Sequence, residues 1–259
     1  VNKCRITVLG SSSGMPSPTR FCPSLLFQTD KLNFLLDCGE GTSFSIQRNK
    51  IDPELIDSVF ISHCHSDHLG GLFLLIQMMH LLQRRRSLKI FLPEEAVSGV
   101  KSFLQTCYLF PEKINPPLNL LPITTKFKFE EEGIIIKAHA NRHLMGNQNV
   151  IDKLKYTNKM QSFCFVLNIA DKKIVYSGDI ESSDDLSEII DYTDLLITEC
   201  FHPQLDRLIQ LMVKKRVKMA VFTHIPPELE EKQDEILLMA KKSGFEKLIM
   251  AYDGMVINI

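Results

Sequence analysis

Three histidines and one aspartate fall within six positions of the stretch FISHCHSDHLGG, residues 60–71, directly behind an apolar run. No other feature constrains the fold of this chain as much. His63, His65, Asp67 and His68 are costly to bury together unless something binds them. They belong where a strand ends and a loop can present them. In an extended segment residues i and i+2 point the same way, so His63 and His65 can chelate one ion. Asp67 and His68 fall at the turn into the next helix, angled toward a second position. Imidazole and carboxylate are the donors of zinc and neighbouring transition metals. One HxHxDH stretch cannot complete two coordination spheres, so further ligands must come from elsewhere.

Three candidates stand behind apolar segments of the same kind. His143 follows the segment 134–138, Asp179 follows 174–176 in IVYSGDI, and His224 follows 219–223 in AVFTHIP. Each ends an expected strand, where a loop at a sheet edge can offer it.

The rest of the chain reads as a soluble, core-forming protein. It has 259 residues, 44% hydrophobic and 24% charged, with a formal net charge of −1. That balance gives no global reason to bind nucleic acid or an anionic membrane. Seven cysteines, an odd number with no CxxC pair, argue against a disulfide framework and a zinc ribbon and for a reducing compartment. A strand pattern that begins at once leaves no room for a signal peptide. The longest apolar run, 69–82, is too short to span a bilayer and reads as a buried helix. The expected location is cytoplasmic, with no membrane partner.

Alternation and apolar runs predict strands at 4–9, 23–28, 33–37, 58–62, 88–92, 118–122, 126–130 and 133–140. In the second half they predict strands at 162–169, 173–177, 194–199, 218–223, 246–251 and 255–258. Helices are expected over 69–84, 94–108, 183–191, 204–216 and 228–243. Strand-rich first, alternating second, this order fits two face-to-face sheets with helices outside better than one doubly wound sheet. One domain, 1–259, is expected.

The motif set is similar to that of the metallo-β-lactamase superfamily and most closely resembles its ribonuclease Z-like branch. HxHxDH is followed by a distant histidine, then SGD (177–179) and TH (223–224). VLGSSSGMPSPTRFCPSLLF, LLDCGEGTSFSIQR, SVFISHCHSDHLGGL, LLITEC and LIMAYDGMVI resemble that branch almost phrase by phrase. The resemblance covers essentially the whole chain. It implies an α/β (α+β) metallo-β-lactamase fold, an αββα four-layer sandwich of two mixed β-sheets with helices outside. It implies two divalent metal ions, zinc first, with manganese or iron as alternatives. His63, His65 and His143 would hold one ion; Asp67, His68 and His224 would hold the other, and Asp179 would bridge them. Two divalent cations, two aspartates and a hydroxide sum to about +1, which suits an anionic phosphodiester, whether a small molecule or RNA.

The catalytic residues implied are Asp67, Glu199 and His202. In this branch a glutamate in a strand-end motif orients a histidine that protonates the leaving group. TECFH puts His202 three residues after Glu199; the alternative is that His202 merely starts a helix. Asp37 in LLDCGEG matches the first-motif aspartate and would orient a ligand or loop, against an ordinary turn residue before Gly39. Cys38 and Cys64 are expected not to ligate. The glycine-rich loop 10–16 lacks the GK[ST] of a phosphate-binding loop and reads as a tight loop at the rim of the site. Arg84–Arg86 and the basic run 214–218 read as solvated faces, and His80 and His139 as structural.

Branch members that mature tRNA carry a long arm gripping the substrate. Here only 35 residues, 144–178, separate His143 from Asp179. Two strands use about half, and MGNQNVIDKLKYTNK reads as a modest loop. Of the branch's PxKxRN loop only Pro16 and Arg20 remain. The expected function is dinuclear metal-dependent phosphodiester hydrolysis without the tRNA arm. Hydrolysis of a carboxylic ester, thioester or lactone on the same centre is the rival, and a non-catalytic metal-binding protein the other class. A homodimer is left open.

Overall fold

In the computed structural model, which describes residues 4–15 and 17–259, each half of the chain builds a seven-stranded mixed sheet. The chain divides into two compact units, Val1–Thr124 with Tyr252–Ile259, and Thr125–Ala251. Pro16 lies outside the described residues.

In the first unit β1 (Arg5–Gly10), β2 (Ser24–Gln28), β3 (Asn33–Leu36), β4 (Ser58–Phe60), β5 (Leu88–Pro93) and β6 (Leu118–Ile123) lie side by side in that order. The C-terminal strand Val256–Asn258 pairs on the outer side of β1. Pairing is antiparallel from that strand through β3 and parallel from β3 through β6. The parallel strands β4 and β5 are almost wholly buried, as strands covered on both faces must be. Helices α1 (Thr42–Arg48), α2 (Ser66–Leu69), α3 (Leu72–Leu81) and α4 (Val97–Thr106) belong to this unit. Leu72, Leu75, Ile76 and Met79 recur at helical spacing along α3 and enter a core with Leu35, Val59 and Ile90. The apolar run 69–82 is thus broken at Gly70–Gly71, and only one face of its helix is buried: Leu74, Leu81 and Leu82 are exposed.

In the second unit the order is β13 (Leu248–Met250), β12 (Ala220–Thr223), β11 (Leu195–Glu199), β10 (Lys172–Tyr176), β9 (Phe163–Ile169), β8 (Ile134–Ala140), β7 (Lys128–Glu131). β10 through β13 are parallel; β7 through β10 are antiparallel. Helices α5 (Gln148–Leu154), α6 (Leu205–Lys214), α7 (Pro227–Glu230) and α8 (Gln233–Lys242) complete it. Leu208, Ile209 and Met212 of α6 and Ile236 and Ala240 of α8 close over Val175, Leu196 and Phe222.

Topology explains why the donors of this unit gather at one edge. β10, β11 and β12 run in one direction, so the loops after their C-terminal ends emerge together, as in open α/β sheets generally. β8 is antiparallel to β9, and β9 to β10, so β8 runs the same way and ends on that edge too.

Several expectations needed correction. The segment 183–191 holds only a 3-10 turn, Ser183–Leu186, in place of a helix. Helix 228–243 is split into α7 and α8. The loop expected after His143 is a 3-10 turn, His143–Asn147, running into α5, and α1 had no apolar stripe long enough to announce it. Arg84 is not on a solvated face. The residue is 1% exposed, and its guanidinium donates to the carbonyls of Pro53, Ile56, Arg86 and Ser87. Burial also pulls its pKa down. Further along, Lys215 and Lys218 pair with Asp191 and Asp194 at 2.9 and 2.8 Å.

Removing the Arg84 side chain would orphan several carbonyls at once. Arg84→Ala is expected to lower stability by about 3 kcal/mol, the upper range for hydrogen bonds to a charged group. Urea unfolding followed by circular dichroism measures it. A loss under about 0.5 kcal/mol, the size of an ordinary surface substitution, would refute the buried role.

Candidate metal centre

In the first unit the HxHxDH stretch follows β4 at the sheet edge. His63 is fully buried, and its Nε2 lies 3.1 Å from Nδ1 of His65. His65 opens α2, with its carbonyl accepting from the backbone of His68 and Leu69. This single turn swings Asp67 and His68 away from the extended His63–His65 pair. Asp67 Oδ2 lies 3.4 Å from His68 Nε2.

Asp37 organises this cluster from the end of β3. Its Oδ1 accepts from Ser62 N at 2.7 Å, and its Oδ2 from Ser62 Oγ at 2.8 Å. Oδ2 also lies 2.7 Å from His68 Nδ1. A histidine that donates through Nδ1 carries its lone pair on Nε2. That lone pair and the Asp67 carboxylate are two acceptors facing each other, an arrangement a cation reconciles. Ser62 Oγ also reaches His63 Nδ1 at 3.1 Å, so one serine and one aspartate set both rings. Asp37 adopts a left-handed backbone, φ 56°, unusual for a non-glycine residue and frequent at functional sites.

Two close backbone approaches hold the Asp37 loop against α2. A Cβ on Gly39 would collide with the carbonyl of Asp67, and one on Gly71 with the carbonyl of Gly39. Cys38 N donates to His68 O and Gly71 N to Cys38 O, both at 2.9 Å. Burial pushes the Cys38 and Cys64 thiols up to about 12. The loop after β1 bears on Asp67 as well: a Cβ on Gly14 would stand 3.2 Å from its Oδ2. Arg20 donates to Ser11 Oγ at 2.7 Å, and that hydroxyl to Asp253 at 2.7 Å, which anchors this loop to the C-terminal segment.

In the second unit His143 follows β8, Asp179 follows β10, Glu199 ends β11 with His202 just beyond it, and His224 follows β12. Asp179 is buried; its Oδ2 lies 3.3 Å from His224 Nε2 and 3.7 Å from His143 Nε2. His224 itself has a left-handed backbone, φ 53°. Glu199, fully buried at the end of β11, accepts from the backbone N–H groups of Phe201, His202 and Ile180, the last at 2.7 Å. Its carboxylate also meets His202 Nδ1 at 2.8 and 2.9 Å. Glu199 therefore fastens the His202 loop and the residue after Asp179 at once. Donor atoms of Glu199, His202 and His224 all lie within 4.8 Å of one another. The His202 ring stands 5.8 Å from that of His224, and the half-exposed Phe201 packs on it at 4.8 Å.

Two residues escaped the reading of the sequence. Ser62 lay inside the motif without a ligand-type side chain. Asn141, two positions before His143, carries both a donor and an acceptor at a strand end, the signal that could have marked it. His80 accepts from Asn115 N at 3.1 Å and is structural.

The chain as a whole is similar to several known proteins. The model of the family described as "Anti-Pycsar protein Apyc1" matches residues 4–250. A ribonuclease Z of Saccharolobus solfataricus is 27% identical over 98% of this chain and 99% of its own length. The metallo-β-lactamase fold protein YhfI of Bacillus subtilis superposes over the whole of both chains with a TM-score of 0.80 at 17% identity. The human short-form tRNase Z superposes over 98% of each chain with a TM-score of 0.73 at 20% identity. The fold is the metallo-β-lactamase fold, as the motifs implied, and among the described residues no helix is long and apolar enough to cross a membrane. A metal-dependent hydrolase of ribonuclease Z-like type, the chain belongs to the family of the anti-Pycsar protein Apyc1.

Proposed function

We propose that the protein is a dinuclear phosphodiesterase, with zinc as its metal. By the resemblance, His63, His65 and His143 would hold one ion, Asp67, His68 and His224 would hold the second, and Asp179 would be shared by both. The observation that carries this reading is the place of Asp179: one carboxylate oxygen stands within 4 Å of two histidines assigned to different ions. The neighbouring pairs His63–His65 and Asp67–His68 agree with the same division.

When bound, the ions supply an activated water, polarise the phosphoryl oxygen and stabilise the leaving oxygen. The chain's own contribution is proton delivery. Glu199 holds Nδ1–H of His202, which turns Nε2 outward as the proton donor to the leaving oxygen. Buried Glu199 stabilises the protonated ring without taking its proton, and Asp37 keeps His68 in the tautomer a ligand needs. An odd number of cysteines with no CxxC pair supports a cytoplasmic location.

The substrate we infer is smaller than tRNA. Binding a folded RNA takes many phosphate contacts, each with its counterion release. Between His143 and Asp179 the chain builds only a 3-10 turn, α5, β9 and β10, and its net charge is −1. Small diesters should be hydrolysed measurably, and precursor tRNA weakly or not at all. Chromogenic phosphodiesters, thioesters, lactones and precursor tRNA assayed on one zinc-loaded preparation test both points. Turnover of carboxylic esters alone would refute the phosphodiesterase, and efficient 3′ processing of tRNA would refute the small substrate.

A further inference from the structure

Asp179 and His143 leave strands that are not neighbours, since β9 lies between β8 and β10. Strands about 4.8 Å apart put β8 and β10 roughly 10 Å apart. Their two loops must therefore be drawn together before Asp179 Oδ2 can stand 3.7 Å from His143 Nε2. Asn141 spans this gap. Its side chain is buried, and Nδ2 donates to the Asp179 carbonyl at 2.9 Å and toward Cys164 Sγ of β9 at 3.5 Å. Its Oδ1 accepts from His143 N at 3.1 Å. Its own N–H is tied to Ser162 O at 3.0 Å. One amide thus holds the backbones of both metal-binding residues and rests on the strand between them.

A second tie crosses the same loops nearer the solvent. Asp185 accepts from Arg142 Nε and from Glu181 N, both at 2.9 Å. Arg142 is half exposed, so water and salt weaken that link. The buried amide is the stronger constraint, because a polar group there has no water to fall back on.

We propose that Asn141 is a positioning residue: through two backbones it sets the spacing of His143 and Asp179, and so the grip on the ion that His143 binds. The inference rests on the metal centre proposed above. It gives Asn141 no contact with metal or substrate.

The test compares Asn141→Asp, Asn141→Ala and Cys164→Ala in the full chain. Aspartate keeps the shape and the acceptor for His143 N but turns an oxygen toward the Asp179 carbonyl. Cys164→Ala removes the sulfur beneath Asn141 and leaves both loop contacts in place. Zinc affinity is read by competition with a chromogenic chelator, and the melting temperature of the metal-free chain is read alongside. Both Asn141 variants should weaken one zinc equivalent by about 10- to 100-fold, the range for residues that orient ligands. Excess zinc should restore their turnover of bis(p-nitrophenyl) phosphate. Cys164→Ala should melt lower yet bind zinc like the wild type. Wild-type affinity in both Asn141 variants would overturn the proposal. So would an equal affinity loss in Cys164→Ala, or loss of the fold in both Asn141 variants, since either makes Asn141 an ordinary core hydrogen bond. A wild-type chain that binds no zinc would overturn the metal centre itself, an outcome read before any variant is made.

Discussion

Asp179→Ala is expected to lose at least one of two bound metal ions and nearly all hydrolytic activity. The reason lies in its placement: Oδ2 is 3.3 Å from His224 Nε2 and 3.7 Å from His143 Nε2. Under the proposed assignment both ions share this carboxylate, so its removal takes a ligand from each and leaves their mutual repulsion unrelieved. Lewis-acid stabilisation is worth several kcal/mol, and each 1.36 kcal/mol is tenfold, so kcat/KM should fall by about 10³-fold or more. Asp179→Asn keeps the shape but not the charge and should lose most of the same activity. Elemental analysis after zinc loading and gentle desalting reads the metal, and a chromogenic diester reads the rate. Two ions retained in Asp179→Ala would refute the bridging role, and one ion or none in the wild type would refute the dinuclear centre.

His202→Ala should have an effect that depends on the leaving group. Its imidazole is held by buried Glu199 and is itself about one-third exposed, at the surface where a leaving oxygen can reach it. An alkoxide or a sugar hydroxyl needs a proton as it departs; nitrophenolate barely does. Turnover of a diester with an alkyl or sugar leaving group should therefore fall by roughly 10²-fold or more, the span of general acid catalysis. The nitrophenyl ester should lose far less. Equal losses on both substrates would make His202 a structural residue. Glu199→Gln keeps one carbonyl oxygen, enough for the Ile180 N–H or the His202 N–H but not both, and loses the charge that stabilises the ring.

How legible the fold was depended on how local its signals are. Strands β1 through β13 and the C-terminal strand were expected within two residues at each end, because period-2 and continuous apolar patterns are properties of neighbouring residues. Misses came where tertiary contact overrides local pattern. Segment 183–191 has the apolar residues of a helix, yet Leu186, Ile189 and Ile190 reach the core from a 3-10 turn and the irregular chain after it. α5 buries none of its residues, so no apolar stripe could announce it. Arg84 looked like one of three solvated arginines until its guanidinium met four carbonyls from the chain at 53–56 and 86–87.

Donor identity was written in the sequence alone. Four ligand-type side chains in six positions, and three more at the ends of apolar segments, carry their chemistry wherever the chain goes. The Glu199–His202 pair was legible for the same reason, since three residues of separation already keep two side chains close. Tertiary structure alone decided how those donors are aimed. Asp37 sets the tautomer of His68 across 31 positions, and Asn141 reaches the Asp179 backbone across 38. Such links depend on which strands lie side by side and which ends share an edge. That is settled by burying apolar side chains, so residue types can be read locally while their geometry cannot.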